Sequence, residues 1–426
     1  MRLSCFLWIA PVLLAAGMQA QEPFRIEFDP EPPVRLAEPT RWHLTGLAPG
    51  SEVEVTAILG DEWGAVWSAS AVFEADAGGR VRPESSAPLS GSYAGIDPWG
   101  LYWSGSRMTD AASTAELADE SPVTFVVSQR DRELGRRTLE RWVVAPNVDE
   151  RPFRAEGLIG RTYVPAGANG EIAAILLGGS GGGMAWQRRM AAHLAGVGIP
   201  ALALAYFGME ELPQRLERIP LEYVLDAVLA FGELESVDPD RIVLVGYSKG
   251  AELALLAAST FDLVAGVVAY APSSVTFQAF LPPRFPAISS WTLDGVDCPF
   301  VPLKGYRPEA SSIENWTTYL QQEVALGAAA IPIERIRGPI LVLSGEEDSI
   351  WPSSLMGERL RGRFEEHGAG GRFRHRVFPD AGHGIAAPGN VPTGPTAARN
   401  GGTPPGNAAA QRASWMATVE FLRTLE

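Results

Sequence analysis

The residues RIVLVGYSKGAELALLAAS, positions 241–259, contain the pattern from which the rest of the architecture can be inferred. Residues 242–245 are apolar and rich in β-branched side chains, which predicts a strand. The residues after Gly250 repeat apolar positions at helical spacing, which predicts a helix. Ser248 stands at the apex of the turn between them. A G-x-S-x-G sequence between a strand and a helix is typical of a nucleophile elbow, whose strained turn lifts the serine oxygen clear of the sheet edge. Ser248 is therefore the candidate nucleophile.

Length and charge restrict the class of protein. With 426 residues, the chain is long enough for two or three domains. Its net charge of −15 argues against nucleic acid as a partner, and an anionic substrate would need local basic residues to bind against the overall field. The five histidines form neither an H-E-x-x-H sequence nor a cluster with cysteine, so the sequence predicts no metal and no cofactor.

The first 20 residues have the features of a cleavable signal peptide. Arg2 supplies the positive start, residues 6–16 are apolar, and residues 18–20 read Met-Gln-Ala, a small-residue cleavage site. We therefore expect export to the periplasm or secretion. No later segment has about 18 uninterrupted apolar residues, so no stable membrane anchor is expected. After cleavage Cys298 is the one remaining cysteine, which excludes an intramolecular disulfide.

Two patterns divide the mature chain. In residues 21–150, short alternating runs are separated by proline and glycine, which predicts an all-β sandwich of the immunoglobulin type. In residues 151–426, apolar strands alternate with helical segments, which predicts a mostly parallel sheet with helices on both faces. The polar residues 147–152 are expected to link the two, and residues 387–407 to form a long loop.

One segment interrupts the second pattern. Residues 273–334 are rich in proline and aromatic side chains and lie between two predicted sheet strands. Caps and lids are commonly inserted at such positions, so we expect a cap-like insertion.

A serine nucleophile needs a base, and the base needs an acid to hold it; α/β-hydrolases supply them in the order serine, acid, histidine. A predicted strand at 340–343 leads directly into Asp348, which we choose over Glu346 and Glu347 because of its place beyond the strand end. His383 lies between two glycines after the last predicted strand and can reach back across the sheet edge. Ser248, Asp348 and His383 are thus the predicted catalytic residues.

The oxyanion formed during acyl transfer needs backbone N–H donors. One is expected from Lys249, the residue after the nucleophile, and the other from the glycine-rich residues 178–183, with Ser180 and Gly181 as candidates. The alternative interpretation of this loop as a phosphate-binding loop is weaker, because no G-K-[ST] sequence follows it.

With these residues identified, nearly all of residues 25–426 resembles the acyl-CoA thioesterase / bile acid-CoA:amino acid N-acyltransferase family. The resemblance rests on five motifs: GSYAGIDPWGLYWSG (91–105), GYSKGAEL (246–253), GEEDSIWPS (345–353), AGHGIAAP (381–388) and NGGTPPGNAAAQRASW (400–415). It implies an immunoglobulin-like domain fused to an α/β-hydrolase that acts on acyl thioesters of coenzyme A through Ser248, Asp348 and His383.

The sequence leaves several activities open. Family members that conjugate bile acids carry cysteine at the elbow, so Ser248 favours hydrolysis over transfer to an amine or alcohol acceptor. Export would place the chain where coenzyme A esters are scarce, which keeps an extracytoplasmic carboxylesterase as an alternative. A binding protein with an inactive hydrolase domain is a further alternative, and the oligomeric state is not predicted.

Overall fold

The computed structural model describes residues 22–110, 117–279, 286–368 and 371–425. The predicted signal peptide, residues 1–20, lies outside the described residues, and so do residues 280–285 of the predicted insertion. Within the described part of the chain, no helix has the length and apolar character needed to cross a membrane.

The N-terminal unit is β-rich, as predicted. It contains ten strands and one short helix in the described residues: β1 Arg25–Asp29, β2 Val34–Arg35, β3 Arg41–Thr45, β4 Glu52–Gly60, β5 Val66–Glu74, β6 Ser90–Gly91, α1 Gly100–Trp103, β7 Ser106–Thr109, β8 Val123–Gln129, β9 Arg132–Leu139 and β10 Arg141–Trp142. The largest sheet has the order β6-β5-β4-β8-β9, with β7 also paired to β5. The strands β1 and β3 pair separately, as do β2 and β10.

Apolar and polar side chains alternate along these strands, which explains why the sheet has one buried face. Along β4 the side chains of Val53, Val55, Ala57 and Leu59 are buried, while most of those between them are exposed. They pack on a core that includes Trp42, Phe73 and Phe125. The β-rich class of this unit is confirmed; its immunoglobulin topology remains a prediction.

The C-terminal unit alternates strands and helices. Its strands are β11 Val148–Ala155, β12 Leu158–Pro165, β13 Glu171–Leu177, β14 Ala201–Ala205, β15 Ile219–Pro220, β16 Val237–Tyr247, β17 Gly266–Tyr270, β18 Trp291–Leu293, β19 Val296–Asp297, β20 Ile340–Gly345 and β21 Phe373–Phe378. Its helices are α2 Ala185–Gly196, α3 Glu222–Gly232, α4 Lys249–Thr260, α5 Ser312–Tyr319, α6 Glu323–Ala329, α7 Ser353–Glu366, α8 Gly394–Asn400 and α9 Pro404–Arg423, with a 3₁₀ turn at Ile333–Arg335.

Eight of these strands form one sheet in the order β11-β12-β14-β13-β16-β17-β20-β21. The six strands from β14 to β21 are parallel, while β11 and β12 are antiparallel additions at one edge. Helices α3, α4 and α7 pack on one face, and α2 and α9 pack on the other. This is the predicted α/β-hydrolase architecture, in which the ends of the parallel strands converge on one edge.

The boundary between the units differs from the prediction. The polar residues 147–152 do not form a linker; β11 pairs with β12 along its whole length, from Val148 opposite Pro165 to Ala155 opposite Leu158. The second unit thus includes β11 from Val148 onwards, and does not begin at residue 151. The segment VDERPFRA has a linker-like composition because β11 is an edge strand in which only Phe153 is buried, and charged edges discourage pairing with other chains.

The predicted insertion lies between β17 and β20 and contains β18, β19, α5 and α6. Its apolar side chains form a cluster that includes Val275, Phe277, Val301 and Trp316, together with Trp351 from beyond the insertion. We call these residues the insertion cluster.

The prediction of a long loop at 387–407 is wrong in part, because the segment contains α8 and the start of α9. Both helices carry proline in the first turn, where its missing N–H has no helical acceptor to lose, so these prolines begin helices and do not break them.

Candidate active site

The elbow has the strained geometry that the sequence predicts. Ser248 lies between β16 and α4 with φ 57° and ψ −121°, a conformation that a non-glycine residue rarely adopts. A Cβ at Gly246 would lie 2.3 Å from the carbonyl oxygen of Gly250, and a Cβ at Gly250 would lie 2.0 Å from that of Leu177. Both positions therefore require glycine, and the turn holds the Ser248 side chain at the sheet edge.

The structure brings the three predicted catalytic side chains together. Nε2 of His383 lies 3.0 Å from Oγ of Ser248, and Nδ1 of His383 lies 2.8 Å from Oδ2 of Asp348. All three residues are buried: Ser248 is 8 % exposed, His383 is 5 % exposed and Asp348 is 6 % exposed. A hydroxyl, an imidazole and a carboxylate connected in this way can pass a proton from the serine oxygen to the histidine.

Asp348 is held by donors on both carboxylate oxygens. Oδ2 also accepts from Oγ of Ser353 at 2.6 Å, and Oδ1 accepts from the amides of Ile350 at 2.9 Å and Trp351 at 3.2 Å. Glu346 and Glu347, which the sequence offered as alternatives, are exposed. The donors fix the carboxylate in the orientation that receives the Nδ1–H of the histidine.

The imidazole of His383 packs against two aromatic rings. The ring centroid of Tyr247 lies 5.2 Å away, and that of Trp351 lies 6.0 Å away in an edge-on arrangement. Tyr247 comes from the elbow, and Trp351 connects the site to the insertion cluster. The imidazole therefore packs against one ring from the elbow and one from the insertion cluster.

Residues 400–407, which we call the C-terminal brace, hold the loop that carries the histidine. The amide of His383 donates to the carbonyl oxygen of Asn400 at 2.8 Å, and the amide of Gly382 donates to Oδ1 of Asn407 at 2.9 Å. Gly401 forms a bridge with Asp348. Gly401 has φ 81°, and a Cβ there would lie 2.1 Å from the carbonyl oxygen of Glu347. The brace thus connects the acid loop to the histidine loop.

The sequence treated the brace as loop and missed this role. The signal that could have found it is the Asn-Gly-Gly run at 400–402, because consecutive glycines often mark a close approach of two backbones.

Candidate oxyanion donors lie on both sides of Ser248. Lys249 opens α4, and the first N–H groups of a helix have no acceptor within it. In the loop after β13, the amides of Gly179, Ser180 and Gly181 donate no hydrogen bond within the described part of the chain. A Cβ on Gly179 would lie 3.2 Å from Cβ of Ser248, so the structure adds Gly179 to the two loop residues that the sequence nominated.

A buried ion pair lies next to the elbow. Nζ of Lys249 is 2.6 Å from Oε1 of Glu252, and neither side chain is more than 4 % exposed. The same Oε1 accepts from Nε1 of Trp291 at 2.8 Å and from the amide of Phe277 at 3.2 Å. Burial lowers the pKa of Lys249 and raises that of Glu252, while their attraction opposes both shifts. Since Phe277 and Trp291 belong to the insertion, this pair ties the insertion to the helix behind the nucleophile.

Two other histidines take structural positions. His193 is buried on α2 against Trp415, and burial lowers its pKa to about 3. His375 lies on β21 between Glu358 and Ser344. In residues 22–110, 117–279, 286–368 and 371–425, no group of three or more histidine, cysteine, aspartate or glutamate side chains is arranged to hold a metal ion.

Comparison with known proteins assigns both units to one family. Residues 37–155 match the family model described as "Acyl-CoA thioester hydrolase/BAAT N-terminal region", and residues 219–425 match the model described as "BAAT / Acyl-CoA thioester hydrolase C terminal". Together these matches cover about three quarters of the chain.

The relatives that match most of this chain include both thioesterases and an N-acyltransferase. Human acyl-coenzyme A thioesterase 1 and the mouse peroxisomal succinyl-coenzyme A thioesterase are each 29 % identical to this chain, over 82 % of it and 83 % of the relative. Mouse acyl-coenzyme A amino acid N-acyltransferase 1 is 27 % identical, over 91 % of this chain and 94 % of the relative. Thioester hydrolysis and acyl transfer are thus both represented among the proteins that this chain resembles.

Proposed function

The chain belongs to the acyl-CoA thioester hydrolase/BAAT family, and from this premise we propose that it hydrolyses acyl thioesters of coenzyme A through an acyl-enzyme on Ser248. The observation that carries the proposal is the chain of two hydrogen bonds from Ser248 through His383 to Asp348, 3.0 and 2.8 Å long. The family accounts for the substrate class, and the side-chain geometry accounts for the chemistry.

In the first half-reaction, Oγ of Ser248 attacks the thioester carbonyl carbon while its proton moves to Nε2 of His383. The carbonyl oxygen becomes an oxyanion, which the amides of Lys249 and of the loop at 179–181 stabilise. Collapse of this intermediate breaks the carbon–sulfur bond, and the departing thiolate takes the proton from His383. Asp348 stabilises the imidazolium through the bond to Nδ1 and does not itself take the proton.

In the second half-reaction, water replaces the thiol. His383 removes a proton from the water, the resulting oxygen attacks the acyl-enzyme, and the same amides stabilise the second oxyanion. Collapse of this intermediate breaks the bond between the acyl carbon and Oγ of Ser248, Oγ takes the proton back from His383, and the carboxylic acid leaves the restored enzyme.

The experiment uses two substrates with the same acyl chain, one a coenzyme A thioester and one a p-nitrophenyl ester. We expect wild-type protein to turn over the thioester with a higher kcat/KM, and Ser248→Ala to lose at least about 10³-fold in kcat. Ser90→Ala, an exposed serine on the edge strand β6, is the matched control and should match wild type. Full thioester turnover by Ser248→Ala would contradict the mechanism, and turnover of the plain ester alone would favour the carboxylesterase alternative.

Acyl transfer is the second candidate, supported by the N-acyltransferase among the relatives. It differs from hydrolysis only in the nucleophile that resolves the acyl-enzyme. Adding glycine or taurine to the thioester assay separates the two, because transfer yields an N-acyl conjugate detectable by mass spectrometry whereas hydrolysis yields only the free acid.

We further propose that residues 1–20 direct export and are removed. The support is the charge, apolar run and small-residue cleavage site of that segment. N-terminal sequencing of the protein from an extracytoplasmic fraction is expected to begin at Gln21, and recovery of the uncleaved chain from the cytoplasm alone would overturn this proposal.

A further inference from the structure

If the proposed function is right, a negatively charged chain must bind a negatively charged substrate. Its formal net charge is −15, and the phosphate groups of coenzyme A are anionic, so long-range attraction opposes binding. Basic side chains must therefore be concentrated where the leaving group lies, and arginine is the residue best suited to phosphate oxygens.

Such a concentration occurs in the cleft between the β-rich unit and the hydrolase unit, which we call the interunit cleft. Its volume is about 470 Å³. Arg107, Arg189 and Arg399 line it, together with the indole rings of Trp63 and Trp67. Both units are needed to form this cleft, since Arg107 and the two indoles come from the first unit and the other arginines from the second.

The cleft reaches the edge of the catalytic residues. Tyr247, which lines it, precedes Ser248, and its ring packs on His383 at 5.2 Å. Gly384, which also lines it, follows His383 directly. Trp351, whose ring also packs on the imidazole at 6.0 Å, belongs to the apolar insertion cluster. The catalytic histidine is therefore in contact with a residue of the polar cleft and with a residue of the apolar insertion cluster.

The two acidic residues of the cleft, Asp61 and Glu62, already have partners within the chain. Glu62 forms an ion pair with Arg189 at 2.6 Å. The carboxylate of Asp61 accepts hydrogen bonds from the amides of Trp63 and Ala65 and from Nε1 of Trp67, at 2.8–2.9 Å. The carboxylate of Asp61 keeps its charge, but it is oriented towards the backbone and Trp67, and the three arginines of the cleft still outnumber its two acids.

Those remaining arginines point to an anionic ligand. Arg399 is exposed and makes no ion pair with any residue in the described part of the chain. Arg107 lies over the ring of Trp67 at 5.1 Å, and its partner at 3.2 Å is Asp110, a side chain 92 % exposed and free to move away. Screened, solvent-exposed pairs of this kind are weak, so a phosphate can replace the aspartate.

We infer that the interunit cleft binds the phosphate-bearing nucleotide of the thiol leaving group, with Arg107 and Arg399 contacting phosphate. The partly exposed indole of Trp63 offers a stacking surface for a nucleobase, whereas Trp67 is buried and its ring lies against Arg107. The inference rests on the proposed thioesterase function and assigns the leaving-group side of the same site. It also explains how an acidic chain binds an anionic substrate, through local charge supplied by both units.

The test compares three substrates with one acyl chain: the coenzyme A thioester, the N-acetylcysteamine thioester, which lacks phosphate, and the p-nitrophenyl ester. For Arg107→Ala/Arg399→Ala, we expect the ratio of KM for the coenzyme A thioester to KM for the phosphate-free thioester to rise about tenfold. Arg376→Ala is the matched control, because Arg376 is exposed on β21 outside the cleft; its ratio should match wild type.

A binding measurement checks the same point without turnover. Calorimetric titration of Ser248→Ala protein with free coenzyme A should show binding that weakens with added salt, and the two arginine substitutions in that background should weaken binding at low salt and reduce its salt dependence.

The outcomes separate the inference from the function on which it rests. If wild type hydrolyses both thioesters and the arginine variant leaves the KM ratio and the coenzyme A affinity unchanged, the cleft assignment is overturned while the thioesterase function stands. If wild type hydrolyses neither thioester, the proposed function fails and the cleft assignment fails with it.

Discussion

The buried pair of Lys249 and Glu252 allows a quantitative prediction about stability. Glu252 is 0 % exposed and Lys249 is 3 % exposed, so neither charge can be solvated by water in the folded chain. In Glu252→Leu the favourable contact that the ammonium of Lys249 keeps, among the residues that the structure describes, is the ring of Trp291, 5.1 Å away. Two donors, Nε1 of Trp291 and the amide of Phe277, also lose their acceptor.

Removing one partner of a buried pair costs about 3–5 kcal/mol, whereas replacing both partners by apolar side chains is often close to neutral. We therefore expect Glu252→Leu to lower the free energy of unfolding by about 3–5 kcal/mol. Lys249→Met/Glu252→Leu should lose less than this single variant, because the two unpaired donors, at about 1–3 kcal/mol each, penalise both variants while the unpaired charge penalises only the single one. The double variant is thus predicted to be more stable than the single variant from which it is made.

The sign of the pH dependence gives an independent check. Burial lowers the pKa of Lys249 in the folded chain even with Glu252 present, and losing the glutamate removes the main opposing attraction. In Glu252→Leu the unfolded chain binds this proton more tightly than the folded chain does, so stability should rise as pH increases from 7 towards the pKa of an unfolded lysine, about 10.4. Lys249→Met/Glu252→Leu should not show this rise.

Urea unfolding followed by tryptophan fluorescence measures these differences as shifts in the midpoint. Lys304→Met, which removes the exposed second lysine of the chain, controls for loss of a positive charge. Equal losses in the single and the double variant would refute the reasoning, because the cost would then come from packing and not from an unpaired buried charge.

The other predictions concern the acid and the buried histidine. Asp348→Asn should keep the fold but lower kcat by about 10³–10⁴-fold, because an amide cannot stabilise the imidazolium; steady-state kinetics with circular dichroism would check it, and a loss below tenfold would contradict the role. His193 has its pKa lowered to about 3 by burial, so the unfolded chain binds its proton first and stability is lost as pH falls below about 6.5. His193→Leu should remove about 2 kcal/mol of the stability loss between pH 7 and pH 5, and an unchanged pH slope in urea unfolding would count against a neutral buried His193.

The sheet and the three side chains at its edge could be predicted from the sequence because local patterns specify them. Buried parallel strands are continuous apolar runs, and the turn at Ser248 needs glycine on both sides, so composition and conformation agree there. Asp348 and His383 follow directly after strands β20 and β21, and the ends of parallel strands meet at one edge whatever the details of the loops.

The features that could not be predicted depend on contacts between distant segments. Half of the residues of β11 are charged, as suits a strand at the sheet edge, and only its pairing with β12 identifies it as a strand. The acceptors that hold the loop of His383 lie in the C-terminal brace, within a segment whose glycines and prolines suggested a loop. The partners of Glu252 lie in the insertion, 25 and 39 positions away, and no local periodicity relates them.

The C-terminal brace also sets the order in which the site can be completed as the chain is synthesised. Ser248, Asp348 and His383 leave the ribosome before Asn400 and Asn407, whose oxygens accept from the amides of His383 and Gly382. A nascent chain that ends before Asn407 can carry the three catalytic side chains, yet it lacks the acceptors that fix the histidine loop against the acid loop. Hydrolytic activity should therefore develop late in biosynthesis, after the elbow and most of the sheet have been made.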